Sequence, residues 1–190
     1  MERKKALIIN ASPRKLGSTA MVLGILEARL SRVYDVERVE LGAAAIKPCA
    51  GCQKCRPDGT CVLPRDAAQE IGEKIARTDL LAIGAPCYWG NVPSPLKALF
   101  DRNVTTFESF SSGLPSPKLR GKKAVLLVTS GSPFPFSRLS NQAGGTVRAI
   151  KTVLKSGGMR ILGVGMFASA WNLDKLGERA KKTIARLRIE

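Results

Sequence analysis

The chain has 190 residues, 44% of them hydrophobic and 24% charged, a balance that lets a soluble protein bury a core without covalent staples. It contains no histidine, which excludes Ser-His-Asp and Cys-His hydrolysis, histidine-ligated haem, Rieske centres and mixed Cys/His zinc sites. Lys and Arg number 31 against 15 Asp and Glu, a net charge of +16 that attracts nucleic acid, anionic membranes, acidic proteins and phosphorylated ligands.

The opening stretch MERKKALIIN is charged, then apolar for only a few residues, with no cleavage-type region behind it. It is expected to be a first strand, not a signal peptide. No apolar run approaches the ~20 residues of a membrane span. A cytoplasmic location follows as an expectation, and with it reduced thiols. KALIIN (5–10) reads as a buried parallel strand and ASPRKLGST as the polar loop behind it. From Ala20 the apolar spacing turns helical, with Val22, Ile25, Leu26 and Leu30 on one face. YDVERVEL (34–41) reads as a second strand. The cysteine-rich segment 46–65 follows, and Asp66 with Gln69 then forms a capping box for a helix to about Thr78.

LLAIGAP (80–86) is the clearest central strand. NVPSPLKALFDR (91–102) predicts a helix capped by Ser94, with Pro95 at its first position. Residues 103–121 read as a long loop and KAVLLVTS (123–130) as a strand. The loop GSPFPFSRLSNQAGG leads to a helix over 145–156, stopped by Gly157 and Gly158. MRILGVGMF (159–167) is the last strand, and Asn172 caps a final basic helix. Strand and helix thus alternate five times along one domain, 1–190. That order demands a parallel sheet with helices on both faces. Ligands bind such sheets beyond the carboxyl ends of the strands, where loops 11–19, 86–91 and 129–145 fall.

Three segments carry chemistry. SPRKLGST (12–19) joins strand to helix with hydroxyls, Arg14 and a flexible glycine, which suits a phosphate, although it lacks the Gly-x4-Gly-Lys spacing of a Walker A loop. In APCYWGNVPSP (85–95), Tyr88 and Trp89 stand at a strand end and can flank a flat heterocycle. The fragment GVGMFA (163–168) imitates a dinucleotide fingerprint, but no further strand follows to complete the unit. Finally, Cys49-x2-Cys52-x2-Cys55-x5-Cys61 spaces three thiolates as one corner of a cubane requires. A [4Fe–4S] cluster fits this better than zinc, which commonly takes two Cys-x2-Cys pairs; zinc and free thiols remain the alternatives.

Together, SPRKLGST, CAGCQKC with Gly59-Thr60-Cys61, GAPCYWGNVPSPLKALFDR and GGMRILG resemble the NADPH-dependent FMN reductase superfamily of flavodoxin-like proteins. Within it they are most similar to the iron-sulfur flavoproteins. The resemblance implies a three-layer flavodoxin-like sandwich with a five-stranded parallel sheet in the order 2-1-3-4-5, and non-covalent FMN. It implies that Ser12, Arg14, Ser18, Thr19 and Ala20 hold the phosphate. Pro86, Cys87, Tyr88, Trp89, Gly90 and Asn91 would border the isoalloxazine, with Ser130 and Gly131 from the next loop. Homodimers or homotetramers with the flavin near the subunit boundary are also implied. The chain departs from the family pattern at PRDAA after the last cysteine, at Cys87 and in the loop 131–145.

The expected function is an FMN-dependent oxidoreductase relaying electrons between FMN and a [4Fe–4S] cluster on Cys49, Cys52, Cys55 and Cys61. The cofactors carry the chemistry, and no side chain is expected to be catalytic. NAD(P)H, or an acidic carrier such as ferredoxin, is the expected partner. The nearest alternative is an NAD(P)H-dependent FMN or quinone reductase without a cluster. A basic nucleic-acid or regulatory module is remote, because Arg3-Lys4-Lys5 and Lys118 to Lys123 are short clusters without a recognition motif.

Overall fold

In a computed structural model of the chain, the structure describes residues 3–110, 113–133, 136–139 and 141–189, with the backbone alone for Asp58 and Arg138. Residues 1 and 2 of the opening stretch, and 111, 112, 134, 135 and 140 of the two long predicted loops, lie outside the described residues.

Strands β1 (Lys5–Asn10), β3 (Leu80–Pro86) and β6 (Lys123–Thr129) are nearly continuous apolar runs because both of their faces are covered. Successive side chains enter opposite cores. Leu7, Ile9, Leu81, Ile83, Leu126 and Val128 point one way; Ala6, Ile8, Leu80, Ala82, Val125 and Leu127 point the other. The partly exposed β2 (Asp35–Glu40) and β7 (Arg160–Phe167) form the edges. The sheet order is β2-β1-β3-β6-β7, and all four pairings are parallel. Counting sheet strands alone, this is the expected order.

Helices α1 (Ser18–Leu30) and α8 (Leu173–Ala185) cover one face through Val22, Leu23, Leu26, Leu176, Ala180 and Ile184. On the other face lie α3 (Ala67–Arg77), α4 (Ser94–Arg102) and α7 (Gln142–Ser156). The result is the flavodoxin-like three-layer arrangement. Among the described residues no helix is long and apolar enough to cross a membrane.

Local signals hold in several places. Asp66 caps α3 in a capping box with Gln69, and the Asn172 side chain accepts from Lys175 N at 3.2 Å. Gly158, at φ +79°, ends α7. Other boundaries move. Helix α4 takes Pro93 as its N-cap, so Ser94 is already helical. Helix α7 begins at Gln142, three residues before the expected Gly145. Its glycine is a contact, not a breaker: a Cβ on Gly145 would sit 2.1 Å from Gly90 O. The segment 103–121 holds α5 (Val104–Phe107) and a small antiparallel pair, β4 (Glu108–Ser109) with β5 (Ser116–Pro117). A short α6 (Phe136–Leu139) lies between β6 and α7, and α2 (Cys55–Asp58) lies inside the cysteine segment. The glycines of the false fingerprint serve packing, since a Cβ on Gly163 would meet Leu187 at 2.2 Å.

Candidate functional site

The parallel sheet sends the chain out of β1, β2, β3 and β6 at the same end, so four loops gather there. Asn10, buried at the end of β1, starts the first. Its Oδ1 accepts from Ser12 N at 3.1 Å, and its Nδ2 donates to Glu40 at 2.6 Å. The Ser12 hydroxyl accepts from Arg14 N at 3.1 Å, which folds the loop on itself and leaves the Arg14 side chain exposed. Helix α1 then begins at Gly17 with no side-chain cap, and its first helical bond is Met21 N to Gly17 O, 3.0 Å. The N–H groups of Ser18, Thr19 and Ala20 therefore form the uncapped positive end of a 13-residue helix. Both hydroxyls are engaged elsewhere: Ser18 Oγ donates to Ala170 O at 2.5 Å, and Thr19 Oγ1 lies 2.8 Å from Thr129 Oγ1. These residues can serve an anion through their backbone.

The second loop leaves β3 at Pro86. Cys87 N donates to Thr129 O at 2.8 Å, and Tyr88 and Asn91 exchange backbone hydrogen bonds of 3.1 and 2.9 Å. Between them Trp89 (φ 54°) and Gly90 (φ 74°) are both left-handed, as in a type I′ turn. A bulky residue is costly in that conformation, and Trp89 is fully exposed besides. The turn is seated on α7, where Thr146 Oγ1 donates to Asn91 O at 3.0 Å and Gly145 presses against Gly90. Cys87, Tyr88, Trp89 and Gln142 line an open cavity of about 460 Å³, ample for part of a flat heterocycle. In the third loop Ser130 is buried. Its N–H donates to Phe167 O at 2.8 Å and its hydroxyl accepts from Ser132 N at 3.3 Å, while Gly131 is exposed.

The cysteine segment is the fourth loop. It is anchored to the first: a Cβ on Gly42, just after β2, would stand 2.6 Å from Pro13 Cα and 2.7 Å from Ser12 O. It also reaches the second, because Cys49 and Asn91 line one cavity of about 380 Å³ with Lys97 and Asp101. Left-handed Gly51, Gln53 and Gly59 turn the segment sharply. Gly51 N donates to Cys49 Sγ at 3.4 Å, and Thr105 Oγ1 donates to Gly59 O at 2.9 Å. Cys49 and Cys52 are exposed; Cys55 and Cys61 are half-buried. Burial raises the Cys55 thiol, and the neighbouring Cys61, Cys49 and Cys52 thiolates push it further up, against a hydrogen bond from its own backbone. Among the described residues no three Cys, Asp or Glu side chains converge on a metal position.

Two residues not expected at the site close the base of this loop. Asp66 Oδ2 accepts from Lys47 N at 3.1 Å and from Arg102 Nη1 at 2.9 Å, and Arg102 Nη1 also donates to Lys47 O at 2.9 Å. The Arg102 side chain is fully buried. Burial works to lower its pKa, but Cys61 and Asp66 more than offset this and raise it. The sequence offers one signal for Arg102: it lies three residues after buried Leu99, on the apolar face of α4.

Comparison with known proteins agrees with this fold. The family model described as NADPH-dependent FMN reductase matches residues 4–163. An iron-sulfur flavoprotein of Methanosarcina thermophila is 38% identical over 97 residues, 50% of each chain. An FMN-dependent NADH:quinone oxidoreductase of Haemophilus influenzae is 30% identical over 123 residues, 63% of this chain and 62% of the other. The chain spans about half the length of the first curated relatives it matches. The NAD(P)H:quinone oxidoreductase from Methanothermobacter marburgensis superposes with a TM-score of 0.78 over 97% of this chain and 98% of its own, at 18% identity, a likeness of fold. The family match takes in β1 to β6 and every loop described above, and the chain belongs to the NADPH-dependent FMN reductase family.

Proposed function

We propose that this protein is an FMN-dependent oxidoreductase that relays electrons between FMN, held by loops 11–19, 86–91 and 130–131, and a [4Fe–4S] cluster on Cys49, Cys52, Cys55 and Cys61. The observation that carries the reading is the cavity shared by Cys49 and Asn91, which sets the thiol segment directly beside the turn of the ring site. Bound there, FMN would supply paired or single electron transfer and the cluster single electron transfer.

The chain's own groups suit both cofactors in donor type. The uncapped N-terminus of α1 offers N–H groups and a positive dipole to a phosphate, with Ser12 and exposed Arg14 beside it. Tyr88 and Trp89 present aromatic faces, and Pro86, Cys87, Gly90 and Asn91 complete the border. Ser130 and Gly131 approach from the β6 loop. Sulfur donors suit an iron-sulfur centre, and the buried Arg102 supplies N–H groups that have no acceptor among the described residues. Exposed Trp89, Phe136, Leu139, Met166 and Trp171 all belong to the carboxyl end of the sheet, which supports a second copy of the chain covering this end in a homodimer or homotetramer.

A second reading, an NAD(P)H-dependent FMN or quinone reductase without a cluster, is favoured by the exposure of Cys49 and Cys52 and by the name of the Haemophilus relative. Anaerobic purification followed by an absorption spectrum and metal and sulfide analysis separates the two. The proposal expects FMN with about four irons per chain. Flavin without iron, with quinone reduction unchanged when all four cysteines become serine, would select the second reading. Protein that takes neither FMN nor iron would end both.

A further inference from the structure

Arg102 is a cation in an unusual position. It ends α4, its side chain is fully buried, and among the described residues only Nη1 is hydrogen-bonded by geometry, to Lys47 O and Asp66 Oδ2, both at 2.9 Å. Its Nε and Nη2 have no acceptor among the described residues. Buried guanidinium N–H groups without partners are expensive, so the site calls for an acceptor that completes it. The cavity that Arg102 lines, about 310 Å³, is also lined by Cys61. Several acceptors on that wall are already engaged: Gln69 Oε1 accepts from Asp66 N at 3.0 Å, the Glu73 carboxylate from Arg65 at 2.8 and 3.1 Å, and Asn103 Oδ1 from Thr106 Oγ1 at 3.1 Å. The Cys61 sulfur shares this wall and, with Asp66, holds the guanidinium in its charged form.

The bonded half of Arg102 has its own consequence. Lys47 stands two residues before Cys49 and Asp66 five after Cys61, so one guanidinium nitrogen ties together both ends of the ligand segment. Asp66 in turn holds Lys47 N and caps α3 through Ala68 N at 2.8 Å. The planar fork of arginine can grip the loop base with one nitrogen and present the others to sulfur; a lysine ammonium has no such fork.

We propose that Arg102 is a positioning residue for the cysteine segment: it pins Lys47 to Asp66 through Nη1 and donates N–H groups from Nε and Nη2 to the Cys61 sulfur and to the iron-sulfur centre built on it. This rests on the cluster reading above. A buried cation and N–H donors beside the sulfurs favour the more negative, reduced form, and so raise the reduction potential.

The test compares wild type, Arg102→Gln and Arg102→Lys, purified and reconstituted anaerobically, with FMN content as the control for folding. Arg102→Gln should shift the one-electron equilibrium of the cluster towards oxidised by about tenfold, a fall of ~59 mV. Arg102→Lys, which keeps the charge, should fall between the two. Hydrogen exchange, measured on protein stripped of iron, should be about tenfold faster at the Lys47 and Ala68 amides in Arg102→Gln. An unmoved potential in a cluster-loaded variant overturns the donation to sulfur; unmoved exchange overturns the pin. Wild type that binds FMN but no iron would end the cluster reading and the donation to that centre with it, while the exchange comparison would still decide the pin.

Discussion

Asp66 shows how much one carboxylate does at the base of the cysteine segment. It accepts from Ala68 N at 2.8 Å, Lys47 N at 3.1 Å and Arg102 Nη1 at 2.9 Å. Partial burial raises its pKa, but the two backbone donors and the guanidinium outweigh that and hold it below its ordinary value of 3.8. A carboxylate whose folded pKa is depressed stabilises the fold fully above its unfolded pKa, and that contribution fades as the pH falls through the folded value. Replacing Asp66 by Asn keeps a good cap but strips a buried guanidinium of its counter-charge. The expected cost is about 3 kcal/mol at neutral pH, read by urea unfolding. The gap between variant and wild type should begin to narrow once the pH falls below about 4, the range of an unfolded carboxylate, and vanish only below the depressed folded value, because wild type alone has a charge to lose. A gap that never narrows as the pH is lowered from about 7 to the point of acid unfolding would show that the charge of Asp66 is not what stabilises the loop. The cap was legible from the Asp-x-x-Gln spacing because capping is local. The partnership with Arg102 was not, because the two residues lie 36 positions apart and only the packing of α3 on α4 unites them. Trp89 divides the same way: the aromatic pair at a strand end was readable, its left-handed backbone was not.

Among the elements, the contact between α7 and the turn at 88–91 matters most for the site. In sequence Gly144 and Gly145 resemble the end of a loop, and helix propensity alone places the start of α7 at the second of them. The structure carries the helix through Gly145 because Gly90 O occupies the space a side chain would need. An alanine there gains helix propensity of about 1 kcal/mol, yet must push the turn or the helix aside. We therefore expect Gly145→Ala to keep its helical circular dichroism while its affinity for FMN, followed by quenching of flavin fluorescence, falls about tenfold, equivalent to ~1.4 kcal/mol. Unchanged affinity would remove the 88–91 turn from the flavin site. The long elements were legible because burial on two faces writes apolar runs and burial on one face writes a helical period. The four-residue helices α2, α5 and α6 were not, since one turn is too short to establish a period and is held by its surroundings.

At the scale of the molecule, the +16 charge bears on partner choice and rate rather than on the fold. Arg14 and Lys15 at the α1 loop, and Lys47, Lys54 and Arg56 around the cysteines, are all exposed, so cations surround the end of the sheet where the site lies. One of them is also fixed in place: the Arg56 guanidinium lies 5.1 Å from the Phe110 ring centroid. An acidic one-electron carrier approaching this end would be steered by the field, whereas a neutral quinone would not. Screening shortens the reach of that field from about 10 Å at 0.1 M salt to about 3 Å at 1 M. The second-order rate of electron exchange with an acidic ferredoxin-type carrier should therefore fall about tenfold or more over that range, as measured by stopped flow. The rate with a neutral quinone should change little, which controls for salt effects on the protein itself. Charge-reversed Lys54→Glu should weaken the salt dependence for the carrier and leave the quinone rate alone. If carrier and quinone respond to salt alike, the basic surface has no part in selecting the partner, and its role reduces to keeping the protein soluble.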